Sequence, residues 1–184
     1  MRKVILFNMI SLDGYFAGPQ GEIDWHNVDD EFNQFAIRQL DEVGALLFGR
    51  MTYTLMAGYW PTSEALADDP QVAKKMNQLP KIVFSRTLDT AGWQNTRLVK
   101  TDAARAVAEL KQQPGLDLFI FGSANLAAGL IQNSLVDEFR LIVNPVVLGR
   151  GRPLFQGVQQ QKLNLQKIST FANGNVLLYY RPER

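Results

Sequence analysis

An α/β protein is expected, built on a mostly parallel central sheet flanked by helices and finished by an antiparallel C-terminal hairpin. Three observations lead there. Short apolar runs of strand type alternate with segments whose apolar residues recur every three or four positions. Two of those runs, LLFGRMTY from Leu46 and FIFGSANL from Phe119, end in Gly and pass straight into a helical pattern. Beyond Glu138 only strand-type segments remain, the mark of an antiparallel addition.

In order, Lys3–Ile10 is a strand whose apolar run is interrupted only by Asn8. Ser11–Asn27 carries Gly14, Gly18, Pro19 and Gly21 and is a long loop. Asp29 opens a helix on which Phe32, Phe35, Ala36 and Leu40 share one side. Ala45–Phe48 is a short strand and Met51–Gly58 the helix after it. Pro61–Asp69 is polar and expected to be mobile, and Val72–Leu79 is a short helix. Lys81–Ser85 and Arg97–Val99 are strands, and Ala103–Gln113 is an amphipathic helix closed by Pro114-Gly115. Leu118–Phe121 is a strand and Asn125–Ile131 a helix. Glu138–Val147, Leu163–Phe171 and Val176–Arg181 are strands, the last two joined through Asn173-Gly174, a hairpin-type turn pair. With no repeat or composition break, residues 1–184 are expected to form one domain.

Composition narrows the classes of function. The chain has 184 residues, 46% apolar and 20% charged, enough for one substantial core in a soluble protein. A net charge of +1 with interspersed signs argues against a nucleic-acid footprint. There is no Cys and one His, so neither a thiolate nor an ordinary zinc site is expected, and no metal is assigned. Arg2-Lys3 before an apolar stretch looks like a signal peptide, but Asn8 interrupts it and Asp13 follows. The segment is read as the first strand of a cytoplasmic protein, and no run reaches membrane-spanning length.

A strand that ends in Gly and opens a helix aims free N–H groups and the positive end of a helix dipole at one spot, which suits phosphate. Two such corners in one chain suggest a ligand with phosphates in two places, such as a dinucleotide. Neither corner has the G-x-G-x-x-G spacing, so a standard Rossmann site is not supported.

Five stretches, taken in order, carry a resemblance: Ile10–Trp25 (ISLDGYFAGPQGEIDW), Leu46–Tyr53, Lys81–Leu88 (KIVFSRTL), Phe119–Ile131 and Asp137–Phe155. Together they resemble the dihydrofolate reductase fold, and more closely the reductase domain of riboflavin biosynthesis and its stand-alone relatives. The resemblance implies a dihydrofolate reductase-like fold and an NADPH-dependent reductase, commonly homodimeric. Hydride would pass to a C=N or C=O carbon of a pyrimidine-, pterin- or flavin-like heterocycle. The alternatives are a dihydrofolate-type pterin reductase and a nucleotide-binding module without turnover.

The same resemblance assigns roles. At the first corner, Gly49 and the Thr52 hydroxyl would hold a cofactor phosphate, with Arg50 toward the 2′-phosphate; the alternative is a plain βα turn. Ser85 and Arg86 offer a hydroxyl and a guanidinium at a strand end. Gly122, Ser123 and Ala124 form the second corner, where many dihydrofolate reductases have two glycines. Ser11, Asp13 and Gly14 would lie beside nicotinamide and substrate, with Asp13 either meeting ligand donors or ordering the loop. Gly14 and Gly18 could make that loop a lid. Trp25 and Asp30 keep the spacing of a pterin anchor, although a helix dipole alone favours acids near Asp30. Asp13 or Asp30 is the expected proton source. Tyr53, Tyr59 and Trp60 line a flat-ring pocket or form a packed helix edge. Arg150 meets a substrate phosphate or belongs to a solvated basic turn. His26 is read as exposed loop.

Overall fold

The computed structural model describes residues 1–183. β1 (Val4–Ser11) and β2 (Tyr15–Ala17) lead into α1 (Asp30–Leu40), then β3 (Val43–Gly49), α2 (Arg50–Tyr59), α3 (Ser63–Asp68) and α4 (Pro70–Gln78). β4 (Lys81–Phe84), β5 (Thr96–Val99), α5 (Ala103–Lys111), β6 (Asp117–Phe121) and α6 (Ala124–Gln132) follow. The chain continues through β7 (Glu138–Asn144), β8 (Arg152–Pro153), β9 (Leu163–Thr170) and β10 (Val176–Pro182).

Eight strands form one sheet in the order β5-β4-β3-β6-β1-β7-β10-β9. The first six run parallel; β10 lies antiparallel to both β7 and β9. Layering follows from the two-residue period of a strand. On β1, Val4, Leu6 and Ile10 pack against Val107 and Leu110 of α5 and Ala127 and Leu130 of α6. Ile5 points to the opposite face, toward Leu40, Tyr53, Val72, Met76 and Trp93. Both faces of β1 are covered, which is why the segment is apolar apart from Asn8 and Ser11. The fold is dihydrofolate reductase-like, with helices on both faces and the expected antiparallel C-terminal pair.

Three readings are corrected. Pro61–Asp69 is not a mobile stretch but contains α3. Thr62 Oγ1 accepts the Ala65 N–H at 3.2 Å, Asp69 caps α4 by accepting the Val72 N–H at 3.1 Å, and Ala65 is fully buried. Its polar residues are caps, chemistry that looks like a loop when read one residue at a time. Ser11–Asn27 is not all loop, because β2 pairs with β8 in a two-stranded ribbon. The strand from Glu138 ends at Asn144, ahead of Pro145.

Lys81 is another surprise, a lysine only 1% exposed inside the sheet. Its ammonium donates to the carbonyls of Met76, Asn77 and Leu79 at 2.8, 3.0 and 2.7 Å, closing the end of α4. It also sits 4.3 Å over the Trp93 ring. Burial pushes the group down to about 8.

Candidate functional site

In an open α/β sheet the carboxyl ends of parallel strands gather on one edge, where ligands bind. Gly49 is level with Phe84, Phe7 with Phe121, and Ser11 with Asn144. The edge therefore presents, in order, Ser85-Arg86, Gly49-Arg50, Gly122-Ser123, Ser11–Gly14 and Asn144–Val146.

The two glycine corners meet. The Gly49 N–H donates to Ser123 Oγ at 2.9 Å, and the Ser123 N–H donates to Thr52 Oγ1 at 3.0 Å. Gly122 and Ser123 are both left-handed, with φ of +60° and +55°. A Cβ at Gly122 would lie 3.0 Å from Thr52 Cγ2, so the corner is tight as well as conformationally demanding. The Thr52 oxygen braces the second corner and keeps its O–H as a donor, and the Ser123 oxygen accepts from Gly49. What stays open is the first turn of each helix. Asp29, Thr62, Asp69 and Asp102 cap α1, α3, α4 and α5. Neither α2 nor α6 has a side-chain cap. Arg50-Met51 and Ala124-Asn125 therefore keep donor N–H groups at a positive dipole end, both on the strand-end edge.

Arg50, Arg86 and Arg150 are exposed, and among the described residues none is held by an ion pair. The Ser85 oxygen accepts from the N–H groups of Thr87 and Leu88 at 3.2 and 3.0 Å, so it shapes its own turn.

Asp13 is a clasp. Its carboxylate accepts from Ser11 Oγ at 2.6 Å, from the Leu148 N–H at 3.1 Å and from the Gly149 N–H at 2.7 Å. Ser11 Oγ in turn accepts the Tyr15 N–H at 3.0 Å. The Ser11 bond above all holds the Asp13 carboxyl below its usual range. Of the two readings of Asp13, the hydrogen bonds favour the one in which it orders the loop, and a carboxylate so stabilised as an anion is a poor proton donor. Gly14, at φ +86°, lets the chain turn there.

Trp25 lies in a cleft of ≈350 Å³ with Asp24, His26, Asn27, Asn144, Pro145 and Val146. Its indole N–H donates to the Glu22 carbonyl at 3.1 Å. Asp30 does not line this cleft; it is exposed on the first turn of α1. The Asp29 side chain caps that helix, and Glu31 accepts the Ala172 N–H at 2.7 Å. Tyr53 is corrected outright. It is 4% exposed, packs with Phe48 and Trp93, and its hydroxyl accepts the Trp93 N–H at 3.0 Å, so it belongs to the core. Tyr59 and Trp60 stack edge-on at 5.1 Å as a packed helix edge.

His26 was expected to be exposed, yet burial pushes its imidazole down to about 4. An asparagine knot beneath the cleft also went unseen. Asn144, fully buried, accepts the Asn27 N–H at 2.9 Å and donates to the Ile10 and Ile142 carbonyls at 3.2 and 3.3 Å. Asn27 donates to the Asn173 carbonyl at 2.7 Å, and its own carbonyl accepts from Asn173 and Asn175 at 3.2 and 2.7 Å. The knot ties the segment from Asp24 to Asn27 against β7 and the last hairpin. Asn27 stands more than 100 residues from each of its partners in the knot, and no local pattern signals them.

Fold and edge together define a reductase-like α/β domain of dihydrofolate reductase type. The match to the RibD C-terminal domain over residues 2–178 is specific: the chain belongs to that family. It is 36% identical over 183 residues to the uncharacterized protein YyaP of Bacillus subtilis (strain 168), covering 97% of this chain and 94% of that one. A putative riboflavin biosynthesis protein from Shewanella sp. PV-4 superposes with a TM-score of 0.75 at 25% identity, over 99% of both chains. A dihydrofolate reductase from Enterococcus faecalis, complexed with NADP(H), matches the fold with a TM-score of 0.63 at 12% identity, covering 99% of this chain and 97% of that one.

Proposed function

We propose that this protein is an NADPH-dependent reductase acting on a C=N or C=O carbon of a flat heterocycle of pyrimidine, pterin or flavin type. One observation carries the reading: among the described helices, the two that start without a side-chain cap are the two that open at the strand-end edge. Arg50-Met51 and Ala124-Asn125 would hold the cofactor phosphates, with Gly49 and Gly122 letting the backbone approach. Arg50, one residue past β3, and Arg86, two past the adjacent parallel β4, suit a 2′-phosphate, which guanidinium binds bidentately. The cofactor, when bound, supplies the hydride. The chain's own work is to hold the two reacting rings flat together and keep bulk water out. The Asp13 clasp fixes the loop after β1, and the Trp25 side of the cleft receives the substrate. With Asp13 held as an anion and Asp30 outside the cleft, the proton comes from water. Arg150 stands in the clasped loop, able to meet a phosphate on the substrate.

A homodimer accompanies this reading. On the α5–α6 face of the sheet edge, β9 exposes Leu165 and Ile168, alongside Leu178 of β10, an apolar strip suited to a second copy.

Thermal shifts with NADPH and NADH test the cofactor assignment, since a ligand bound only by the native state raises the midpoint. NADPH is expected to give the larger shift, and Arg50→Ala to narrow the gap. Equal shifts in the unmodified protein overturn the 2′-phosphate assignment.

A further inference from the structure

Asn173 is the one asparagine of the chain that is followed by glycine. Glycine has no side chain to screen its nitrogen, so this pair is where a backbone N–H most easily reaches a neighbouring carboxamide. The pair lies in the turn between β9 and β10, with Gly174 exposed and Asn173 half-buried, so water reaches the turn. Hydrogen bonds hold both residues. The Gly174 N–H donates to the Phe171 carbonyl at 3.0 Å. Asn173 Oδ1 accepts the Asn175 N–H at 3.0 Å, and Asn173 Nδ2 donates to the Asn27 carbonyl at 3.2 Å. The Asn173 carbonyl accepts from Asn27 Nδ2 at 2.7 Å. The nitrogen that would attack is thus tied into the turn, and both ends of the carboxamide it would attack are occupied.

We propose that Asn173-Gly174 is a self-modification site that the asparagine knot restrains while the hairpin is folded. The Gly174 nitrogen gives up its proton to hydroxide and bonds to Asn173 Cγ. The Cγ–Nδ2 bond breaks, and Nδ2 leaves as ammonia after taking a proton from water. Water then opens the cyclic imide at either carbonyl, leaving aspartate or isoaspartate at position 173. No oxidant or reductant takes part: one water enters and one ammonia leaves. The product bears on the cleft. A carboxylate at 173 has no N–H for the Asn27 carbonyl, and its charge sits one residue from Ala172, whose N–H is held by the Glu31 carboxylate at 2.7 Å. Isoaspartate adds a methylene to the turn that sets the β9–β10 register, in which Val176 pairs with Thr170. Either change loosens Asn27, which lines the cleft.

The test incubates the full-length protein at mildly alkaline pH, folded and in concentrated urea. Peptide mass spectrometry then maps isoaspartate and the gain of about one dalton that marks each converted amide. In urea, Asn173 is expected to convert before every other asparagine, including Asn133 with its small neighbour Ser134. In the folded protein Asn173 should convert at least about tenfold more slowly, because its bonds must open first and one net hydrogen bond is worth a factor of about five. Asn27→Ser should quicken conversion of folded Asn173 by more than it quickens Asn133, which reports general loosening. Asn173→Asp, which carries the product, should melt earlier than the unmodified protein. Conversion of another asparagine ahead of Asn173 in urea overturns the site. Equal rates at Asn173 in the folded and urea samples overturn the restraint. Neither of these outcomes depends on a variant.

Discussion

The Ser123 N–H donates to Thr52 Oγ1 at 3.0 Å, a bond between residues 71 positions apart that joins the first turn of one helix to the cap of another. The two corners behave as a single body. Thr52→Val keeps the shape and deletes the acceptor, leaving a buried N–H unpaired at a cost of about 1–3 kcal/mol. Urea midpoints should fall accordingly, NADPH affinity should drop with them, and Thr52→Ser should restore both.

Gly122→Ala places a methyl where Thr52 Cγ2 stands 3.0 Å away and forces an L-residue to φ +60°. Strain of this kind costs roughly 1–3 kcal/mol. Cofactor affinity should fall further than stability does, because the displaced backbone is the surface proposed to face phosphate. Parallel calorimetry and denaturation would show the two losses separately.

His26 makes acid sensitivity predictable in sign. Its imidazole titrates near 4 when folded and near 6.5 when unfolded. Between those values the unfolded chain binds the extra proton, so stability is complete above about pH 6.5 and is lost as pH falls toward 4. The loss attributable to this one group is on the order of 3 kcal/mol at most. Unfolding curves at pH 7 and 4.5 should converge for His26→Gln relative to the unmodified protein.

Lys81→Met retains the buried stem and removes the donor to three carbonyls at the end of α4. Three acceptors lose a charged partner in a dry place, so a loss above about 2 kcal/mol is expected. Hydrogen exchange should quicken first in α4 and in the segment around Trp93, whose ring the ammonium touches.

What could be read in advance was what the chain writes locally. The apolar runs gave β1, β3 and β6, and Gly49 and Gly122 marked corners because a glycine between strand and helix has few other uses. Thr62 and Asp69 misled because a cap and a loop draw on the same residue types. Tyr53 misled because an aromatic on a short helix carries no label for which side it faces; only Trp93, 40 residues on, decides it. Asp13 offered two readings, and the choice lay with Leu148 and Gly149, over 130 residues away. Long-range partners of this kind leave no period or spacing to detect.

The knot of Asn27, Asn144, Asn173 and Asn175 has a consequence for the conditions this protein tolerates. Amides do not titrate, and counter-ions have no net charge to screen in them. One wall of the cleft is therefore riveted by uncharged fasteners, and its outline should persist in brine and in mild acid even where the charge on its neighbours changes.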